Sequence, residues 1–303
     1  MRWLADQALR PSNEDGTCRT LRRPNGRVEP HGSPPLPRAP HPVLGRYYAG
    51  SRGRAPFVDW LFDATAPRYE LVCRLLSFGS GAWYRRSALR RAGLAEGMTL
   101  LDIGAGTGLV ARAALDILRR SGSVIGLDPS AGMLREARKA LAVPLVQGRG
   151  EHLPFRDDRF HMLTIAYALR HLPDLRGAFA ECLRVLKPGG SLLVLEISRP
   201  SGAVRRWLLR SYLRRILPLI ATVQEGRGEV GLLTRYYWDT IEHCVSAPTI
   251  VKCLELAGFA RVEHRLYGGC ISEYVGVKPA ARMRPRRRAT RSRRRVSSSG
   301  APG

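Results

Sequence analysis

From about residue 99 onward, short apolar runs alternate with longer segments in which apolar residues recur every three or four positions. The short runs predict strands and the longer segments predict helices, because side chains on one face repeat every two residues in a strand and every 3.6 in a helix. The predicted strands are residues 99–103, 124–127, 144–146, 162–166, 191–197, 261–266 and 272–277. The predicted helices are residues 109–120, 131–141, 175–186 and 249–257. The alternation predicts an α/β fold with a doubly wound, mostly parallel sheet.

The segments around this alternation follow a different pattern. Upstream, helical spacing predicts N-terminal helices over 57–62, 69–76 and 83–94. Between residues 201 and 245 the alternation stops, and a mostly helical insertion is predicted before the last strands. A Lys-Pro-Gly-Gly run at residues 187–190 predicts a turn after the preceding helix.

Both ends of the chain lack a helix or strand period. Residues 1–46 are rich in Pro, Arg and Gly, and residues 279–303 hold nine arginines and no acid, so both are predicted to be disordered. The ordered domain is therefore expected to cover residues 47–278. The formal net charge of +25 favours anionic partners such as nucleic acid or a phospholipid surface, although solvated arginines are an alternative explanation.

The six cysteines contain no C-x-x-C pair, so neither a metal site nor a disulfide framework is predicted. Reduced thiols indicate a cytoplasmic location. No uninterrupted apolar stretch reaches the roughly 18–20 residues that a membrane span needs. The first residues also meet Asp6 too early to form a secretory signal.

The most informative motif is LDIGAGTG at residues 101–108, where a predicted strand enters a loop of three glycines and then a helix. Glycines at Gly104, Gly106 and Gly108 would let the backbone approach a ligand without interference from a Cβ atom. Leu109 stands where a dinucleotide fingerprint has its third glycine. The loop therefore favours a nucleoside without a pyrophosphate over NAD or FAD.

Two carboxylates extend this motif. Asp128 follows the next strand, 20 residues after Gly108, and could accept hydrogen bonds from both ribose hydroxyls. Capping of the next helix is the alternative role for Asp128. Asp102, at the end of the first strand, is expected near the amino and sulfonium charges of the ligand, because an acid suits a cation and not a phosphate. Together these residues favour S-adenosylmethionine.

Residues from about 56 to 278 resemble the ubiquinone/menaquinone-biosynthesis C-methyltransferases, which are class I S-adenosylmethionine enzymes. Besides the glycine loop, the matching stretches are GRGEHLPF at 148–155, ALRH at 168–171, RVLKPGG at 184–190, GG at 268–269 and YVGVK at 274–278. Residues 69–83 are similar to a degraded form of the family's first signature. The resemblance implies a Rossmann-like sheet of seven strands.

The resemblance also implies individual cofactor contacts. Thr107 and Asp128 would contact the cofactor, and Met133 would pack against the adenine, with an ordinary core methionine as the alternative. Arg149 stands where the family has Asp or Asn, and its side chain cannot accept a hydrogen bond from the adenine amino group. Backbone groups of Arg149 and Gly150, or the Glu151 side chain, are expected to serve instead. Further departures from the family are Ala166, His171 and Tyr274.

For catalysis, the resemblance implies that Arg170 is a polar group at the substrate, where its charge could stabilise a phenolate. His171 is a candidate base if it titrates near neutrality; entry into the next helix is its alternative role. Tyr236, Tyr237 and Asp239 lie where the family's insertion covers the substrate. The expected reaction is C-methylation of a demethylmenaquinol or a related prenylated hydroquinone, with S-adenosylmethionine as cofactor and no metal.

The insertion contains a basic amphipathic segment. Its arginines at every fourth position are Arg206, Arg210 and Arg214, and its neighbouring apolar face carries Leu209, Leu213, Ile216 and Ile220, with Arg205 on the same side. Residues 203–220 could therefore contact an anionic membrane at the inner face, cap the active site, or do both.

Two other functions remain open at this point. The cofactor motifs suit a class I methyltransferase of another small molecule equally well. The arginine-rich tail would suit an RNA-associated methyltransferase, but it lacks the interleaved aromatic residues that stack on bases, which makes nucleic acid the weaker hypothesis. The sequence does not specify an oligomeric state.

Overall fold

A computed structural model describes residues 36–119, 122–219 and 228–280. The prediction for residues 1–35, for the tail from 281, for the helix end at 120 and for Ile220 lies outside these ranges. The seven strands are β1 Thr99–Ile103, β2 Ser123–Asp128, β3 Leu145–Gln147, β4 Phe160–Ala166, β5 Leu186–Ile197, β6 Ala260–Tyr267 and β7 Ile271–Val277. All seven predicted strands are present, and β1 has the predicted bounds.

The strands form one sheet in the order β3-β2-β1-β4-β5-β7-β6. All neighbours are parallel except for β7, which runs antiparallel to both β5 and β6. The chain leaves β1 in one direction for β2 and β3 and returns to β4 on the other side of β1. This doubly wound α/β sheet confirms the predicted fold class, and ligands bind in such sheets where the strand order reverses.

Eight α-helices surround the sheet within the described ranges. They are α1 Arg54–Leu76, α2 Gly81–Arg91, α3 Leu109–Leu118, α4 Ala131–Ala140, α5 Leu175–Val185, α6 Ala203–Ser211, α7 Glu229–His243 and α8 Ala247–Ala257. Single 3-10 turns lie at Ser51–Gly53 and Leu169–His171, and a π-helical turn at Tyr212–Ile216 follows α6. In these same parts of the chain, no helix combines the length and apolarity needed to cross a bilayer.

Alternate residues of the central strands face two separate hydrophobic cores. Leu101 and Ile103 of β1 pack on one face with α5 and α8. Leu100 of the same strand packs on the other face with α2 and α3. Because these strands are buried on both faces, their sequences are continuous apolar runs and do not alternate between apolar and polar residues. A third apolar cluster lies between α1, the π-helical turn and α7, so the insertion packs against the N-terminal helix.

The N-terminal part differs from the prediction in two ways. Residues 54–76 form one helix, not two, and Pro67 lies inside it. The expectation of disorder through residue 46 is also wrong for residues 36–46. The carbonyl of Arg38 accepts the N–H of Leu175, and that of Pro40 accepts the N–H of Val245, so this segment is bound to α5 and to the start of α8. The sequence did not indicate these backbone contacts, because the segment is polar and has no helix or strand period.

The Lys-Pro-Gly-Gly run does end α5, as predicted, but it belongs to β5. The β4–β5 pairing shifts there, from Phe160 opposite Leu186 to Met162 opposite Ser191. The extra residues form an irregularity in the strand, with Gly189 at φ +80°, a value that glycine adopts without strain.

Candidate functional site

The glycine loop connects β1 to α3 at the point where the strand order reverses. Gly104, Gly106 and Gly108 all have positive φ, at +71°, +55° and +84°. A Cβ atom on Gly104 would lie 2.6 Å from the Cβ of Ala168, and one on Gly108 would lie 2.1 Å from Leu141 Cδ1. Gly108 therefore serves helix packing, whereas Gly104 and Gly106 present bare backbone at a cavity wall.

Asp128, at the end of β2, fixes this loop. Its Oδ2 accepts the Gly106 N–H at 2.8 Å, and its Oδ1 accepts the Ser130 N–H at 2.9 Å. Burial raises the pKa of the Asp128 carboxyl to about 6, against the lowering effect of these two N–H groups. The carboxylate thus positions the glycine loop in addition to facing the cavity, a role that the sequence did not indicate.

The first cavity lies over the carboxyl ends of β1, β2 and β4 and is covered by α1. Predicted cofactor residues in its wall are Gly104, Gly106, Asp128, Met133, Arg149, Gly150 and Glu151. Met133 follows the helix cap at Ser130, whose hydroxyl accepts the Met133 N–H at 3.0 Å. The structure therefore brings together most of the residues that the glycine motif and the family resemblance predicted.

Arg149 is held by a partner that the sequence did not reveal. Its guanidinium forms an ion pair with Asp59 of α1, which also lines the first cavity. Among the described residues, the other carboxylate oxygen of Asp59 and Oε1 of Glu151 are buried without a hydrogen-bond partner. The wall around Arg149 therefore presents free acceptor oxygens although arginine itself has none.

The second cavity is the larger, at about 400 Å³ against about 90 Å³ for the first. The two cavities share five wall residues, Tyr69, Gly104, Gly106, Ala166 and Tyr167. The second also contains Thr107, Arg85, Arg170 and Tyr237. A ligand lying across the glycine loop would therefore reach from one cavity into the other.

Arg170 is almost fully buried, with 1% of its side chain exposed, and forms an ion pair with Glu196 of β5. Its guanidinium also lies 4.9 Å from the ring centre of Tyr237. Burial is the largest influence and opposes its charge, but the Glu196 carboxylate together with Tyr237, Tyr69 and Cys244 outweighs it and raises the pKa of Arg170. The side chain is therefore a permanent cation, suited to stabilising an anion in the second cavity.

The structure contradicts one expectation about His171, that it titrates near neutrality. Its ring is enclosed by Phe62, Tyr236 and Tyr237, and it lies with Pro173 in the wall of the first cavity. Burial, followed by the nearby charge of Arg170, lowers the pKa of His171 well below its usual range. A neutral histidine with such a low pKa is a weak base, and it faces a different cavity from Arg170.

The three residues predicted to cover the substrate take different positions on α7. Tyr237 lines the second cavity beside Arg170. Tyr236 is buried in the cap, edge to face with Phe57 at a ring distance of 5.3 Å. Asp239 accepts the Tyr47 hydroxyl at 2.6 Å and so connects α7 to the N-terminal segment. Tyr236 and Asp239 therefore hold the cap together, away from both cavities.

Two further predicted residues lie behind the cavity walls. Asp102 is buried between β1 and β4, where its Oδ1 accepts the Thr164 hydroxyl at 2.7 Å. Burial raises the pKa of Asp102 to about 7. Tyr274 of β7, noted above as a departure from the family, stacks on His264 of β6, with ring centres 4.6 Å apart. Asp102 can act on a ligand through its charge, whereas Tyr274 is a packing residue.

Several residues of the second cavity were absent from the sequence prediction. Tyr69 comes from α1, Arg85 from α2, Tyr167 from the end of β4, and Tyr267 from the end of β6. The similarity of residues 69–83 to the family's first signature was the available signal for Tyr69. Arg85 lies just beyond that stretch, and the sequence did not distinguish it from the many other arginines.

The unpartnered polar atoms differ in kind between the two cavities. Within the described part of the chain, the first cavity has two carboxylate oxygens without partners, Asp59 Oδ1 and Glu151 Oε1, which are acceptors, together with the two ring nitrogens of His171. In the second cavity the buried atoms without partners include Arg85 Nε, Arg170 Nε and Thr107 Oγ1, all able to donate. Acceptors suit the amino and hydroxyl groups of a nucleoside, and donors suit an anion. The residues present therefore fit a nucleoside with an amino acid extension.

The basic amphipathic segment presents a different face from the predicted one. Leu213 is buried, and Leu209 packs in the same cluster, so this part of the predicted apolar face lies against α1 and α7. Ile216, predicted on the same face, is 47% exposed. Val204, Trp207 and Leu208 are instead exposed, at 71%, 61% and 54%. The predicted arginine row is partly paired, because Arg206 contacts Glu242. The segment thus packs on α1 and α7 and carries a separate exposed apolar surface.

Comparison with known proteins gives a consistent result. Residues 51–278 match the sequence profile of the ubiE/COQ5 methyltransferase family. The ubiquinone/menaquinone biosynthesis C-methyltransferase UbiE of Syntrophotalea carbinolica is 38% identical over 72% of this chain and 92% of its own length. The demethylmenaquinone methyltransferase of Lactiplantibacillus plantarum is 32% identical over 74% and 96%. A solved SAM-dependent methyltransferase from Thermotoga maritima shares the fold, with a TM-score of 0.52 and 21% identity over 73% of this chain and 99% of that one.

Proposed function

The chain belongs to the ubiE/COQ5 methyltransferase family, and from this premise we propose that it methylates a ring carbon of a demethylmenaquinol or a related prenylated hydroquinone. It is a methyltransferase and its cofactor is S-adenosylmethionine. The observation that carries the substrate proposal is a roomy cavity, lined by tyrosines and by the buried cation Arg170, that opens directly beside the glycine loop.

The first cavity is the proposed adenosine site. Asp128 accepts the ribose hydroxyls, and Gly104 and Gly106 allow the backbone to approach. Met133 packs on the adenine. The adenine amino group donates to the free acceptors around Arg149 and Gly150, which are the Glu151 carboxylate and, in addition to the predicted groups, Asp59.

Methyl transfer requires an electron-rich ring carbon in line with the donor. S-adenosylmethionine, when bound, supplies a methyl group on a positively charged sulfur. The Arg170 guanidinium, held by Glu196, lowers the pKa of a hydroquinone hydroxyl beside it and stabilises the phenolate that forms. The ring carbon would take the methyl group as its bond to sulfur breaks, leaving S-adenosylhomocysteine. The hydroxyl proton and then the proton of the methylated ring carbon pass to water, since His171 is too weak a base and faces the other cavity. Tyr69 and Tyr237 help to orient the ring.

The test is incubation of the full chain with S-adenosylmethionine labelled in its methyl group and a panel of reduced quinones. We expect label on the ring carbon of demethylmenaquinol or of a related prenylated hydroquinone, and none on the corresponding oxidised quinone, which has no phenolate. Label transferred to a non-quinol small molecule or to RNA, with all quinols unlabelled, would contradict the substrate proposal and leave the methyltransferase assignment intact.

We also propose that the segment 203–220 contacts an anionic membrane, where a prenylated quinol would be found. The support is the exposed apolar surface of Val204, Trp207 and Leu208 on a strongly basic chain. This surface adjoins the second cavity, because a Cβ atom on Gly269, in the wall-forming loop, would lie 2.5 Å from Arg205 Nη1. Phe78, 83% exposed at the cavity rim, stacks on Tyr212 just after α6.

Sedimentation with vesicles tests the membrane contact. We expect binding to vesicles that contain about one third anionic phospholipid and several-fold weaker binding for the double variant Trp207→Ser, Leu208→Ser. Leu256→Ser is the matched control, because Leu256 is 65% exposed on α8, outside the surface proposed for docking. Equal sedimentation of the double variant and the natural chain would exclude this surface as the docking site.

A further inference from the structure

Arg85 on α2 is buried to more than nine-tenths, with 7% of its surface exposed. Across the described residues it forms neither a hydrogen bond nor an ion pair, and its Nε is buried without a partner. The guanidinium lies over the ring of Tyr167, with 5.7 Å between the guanidinium carbon and the ring centre. A buried guanidinium is normally compensated by an acid, so one without a partner indicates a missing anion.

The side chain is directed into the second cavity, whose wall it forms together with the glycine loop. Gly81 makes room for it, because a Cβ atom there would lie 2.8 Å from Arg85 Nη1. Arg170, the other buried arginine of this wall, already has a carboxylate partner in Glu196. Arg85 is therefore the buried cation of this wall that, among the described residues, has no carboxylate of its own.

Two features beside Arg85 also favour a negative charge. Thr107 of the glycine loop has a buried hydroxyl that lacks a partner in the described structure. Leu109 and Val110, at the N-terminus of α3, line the same wall. The first N–H groups of a helix have no partner within it, and the helix dipole favours an anion there. The donors therefore converge at the end of the loop that faces away from Asp128.

We propose that Arg85 binds the carboxylate of the amino acid part of the cofactor. The inference rests on the proposed adenosine site, because a ligand anchored at Asp128 and running across Gly104 and Gly106 extends into the wall that contains Arg85. The buried charge of Asp102 lies under the same loop and attracts the amino group. The zwitterionic end of the ligand is thus placed between a buried cation and a buried acid.

The experiment is calorimetric titration of the full chain with two probes. One is S-adenosylhomocysteine, and the other is S-adenosyl-3-thiopropylamine, which lacks only the carboxylate. The natural chain is expected to bind the first about 10- to 100-fold more tightly, the difference made by one or two hydrogen bonds to a charged group. Arg85→Met should bind the two probes equally, and Arg85→Lys should retain part of the preference.

Arg86→Met is the matched control, because Arg86 is the next residue on α2 and pairs with Asp116 at the surface. It should keep the full preference. Equal binding of the two probes by the natural chain, or an undiminished preference in Arg85→Met, would overturn the inference. So would an Arg85→Met variant that keeps its affinity for S-adenosylhomocysteine and loses turnover alone, since Arg85 would then face the quinol. Binding of neither probe by the natural chain would contradict the adenosine site itself.

Discussion

The two cavities share the glycine loop but are built in different ways. The walls of the first come largely from consecutive strand ends and the loops that follow them, such as Asp128 after β2 and residues 149–151 after β3. The second is assembled from α1, α2, α7 and the turn between β6 and β7, which are far apart in the chain. Among the described residues, its atoms without partners include Arg85 Nε and Arg170 Nε, which donate, whereas those of the first include Asp59 Oδ1 and Glu151 Oε1, which accept.

This difference assigns the two halves of the reaction to separate surfaces. Acceptors beside bare glycine backbone can recognise a neutral nucleoside by its hydrogen-bond donors. Buried donors, two of them cationic, can hold a carboxylate and stabilise a developing phenolate. The shared wall at Gly104 and Gly106 is then where the donor and the acceptor of the methyl group meet. Variants that affect one cavity and spare the other can test this division.

The largest effect is expected at the Arg170–Glu196 pair of the second cavity. Arg170→Met leaves Glu196 buried without its cation, which should lower the free energy of unfolding by about 3–5 kcal/mol. The double variant Arg170→Met, Glu196→Gln should recover most of that stability because no buried charge remains. Both variants should lose at least about 100-fold in methyl transfer, the typical effect of removing a group that stabilises a developing negative charge.

Denaturant unfolding and single-turnover transfer measure these two effects separately. The double variant should still bind S-adenosylhomocysteine with a Kd within a few-fold of that of the natural chain, because the proposed adenosine site lies in the first cavity. A double variant that regains both stability and transfer would show that Arg170 is a structural residue.

The next effect is expected in the first cavity, at Asp128. Asp128→Ala removes the two charge-assisted hydrogen bonds that we propose to the ribose and releases the Gly106 N–H. At about 1.5–3 kcal/mol for each such bond, the Kd for S-adenosylhomocysteine should rise at least about 100-fold, as calorimetry would show. Circular dichroism should show the fold retained.

Asp63→Ala is the control for this variant. Asp63 accepts the Gly132 N–H at 2.7 Å at the start of α4, close to Asp128 but outside the cavity wall. It should lower stability and leave the affinity within a few-fold. If Asp63→Ala weakened binding as much as Asp128→Ala, the effect would come from displacement of α4 and not from the ribose.

The smallest effect concerns pH and has opposite signs for stability and binding. Burial raises the pKa of Asp128 to about 6 and that of Asp102 to about 7, both above the ordinary value of 3.8. Protonation of these two carboxyls stabilises the folded, unliganded chain. This contribution to the free energy of unfolding is complete below pH 3.8 and is lost as pH rises through 6 and 7. Binding needs the ionised carboxylates, so affinity should rise over the same range.

Calorimetry from pH 5 to 8 should show affinity for S-adenosylhomocysteine falling as pH is lowered through 7, where Asp102 takes up a proton, and falling more steeply below 6, where Asp128 does so as well. Asp128→Asn should remove the steeper fall below pH 6 and keep the part that comes from Asp102. An affinity that is constant across this range, with stability also constant, would mean that neither carboxyl titrates there.

The same contrast explains how far the sequence could predict the site. Gly104, Gly106 and Asp128 were predictable because a strand, a glycine loop and a helix place them by local geometry alone. The ion pair of Arg149 with Asp59 was not predictable, because it depends on where α1 packs in the folded chain. Arg85 was likewise one arginine among many until its burial was known.

The pKa of His171 is a second property that the sequence could not predict. Histidine usually titrates near neutrality, and only the structure shows that Arg170, His41 and Arg54 surround this one after burial has already disfavoured its charge. His41 itself belongs to the segment expected to be disordered, where Arg54 donates to its carbonyl at 2.6 Å. Long-range packing of a polar, proline-rich segment leaves no period in the sequence from which it could be predicted.

The most direct measurement is a crystal structure of the full chain with S-adenosylhomocysteine. The adenosine should lie in the first cavity with both ribose hydroxyls on Asp128, and the sulfur should lie at the shared wall of Gly104 and Gly106. Adenosine bound in the second cavity, or a ribose with no contact to Asp128, would contradict the division between the two cavities.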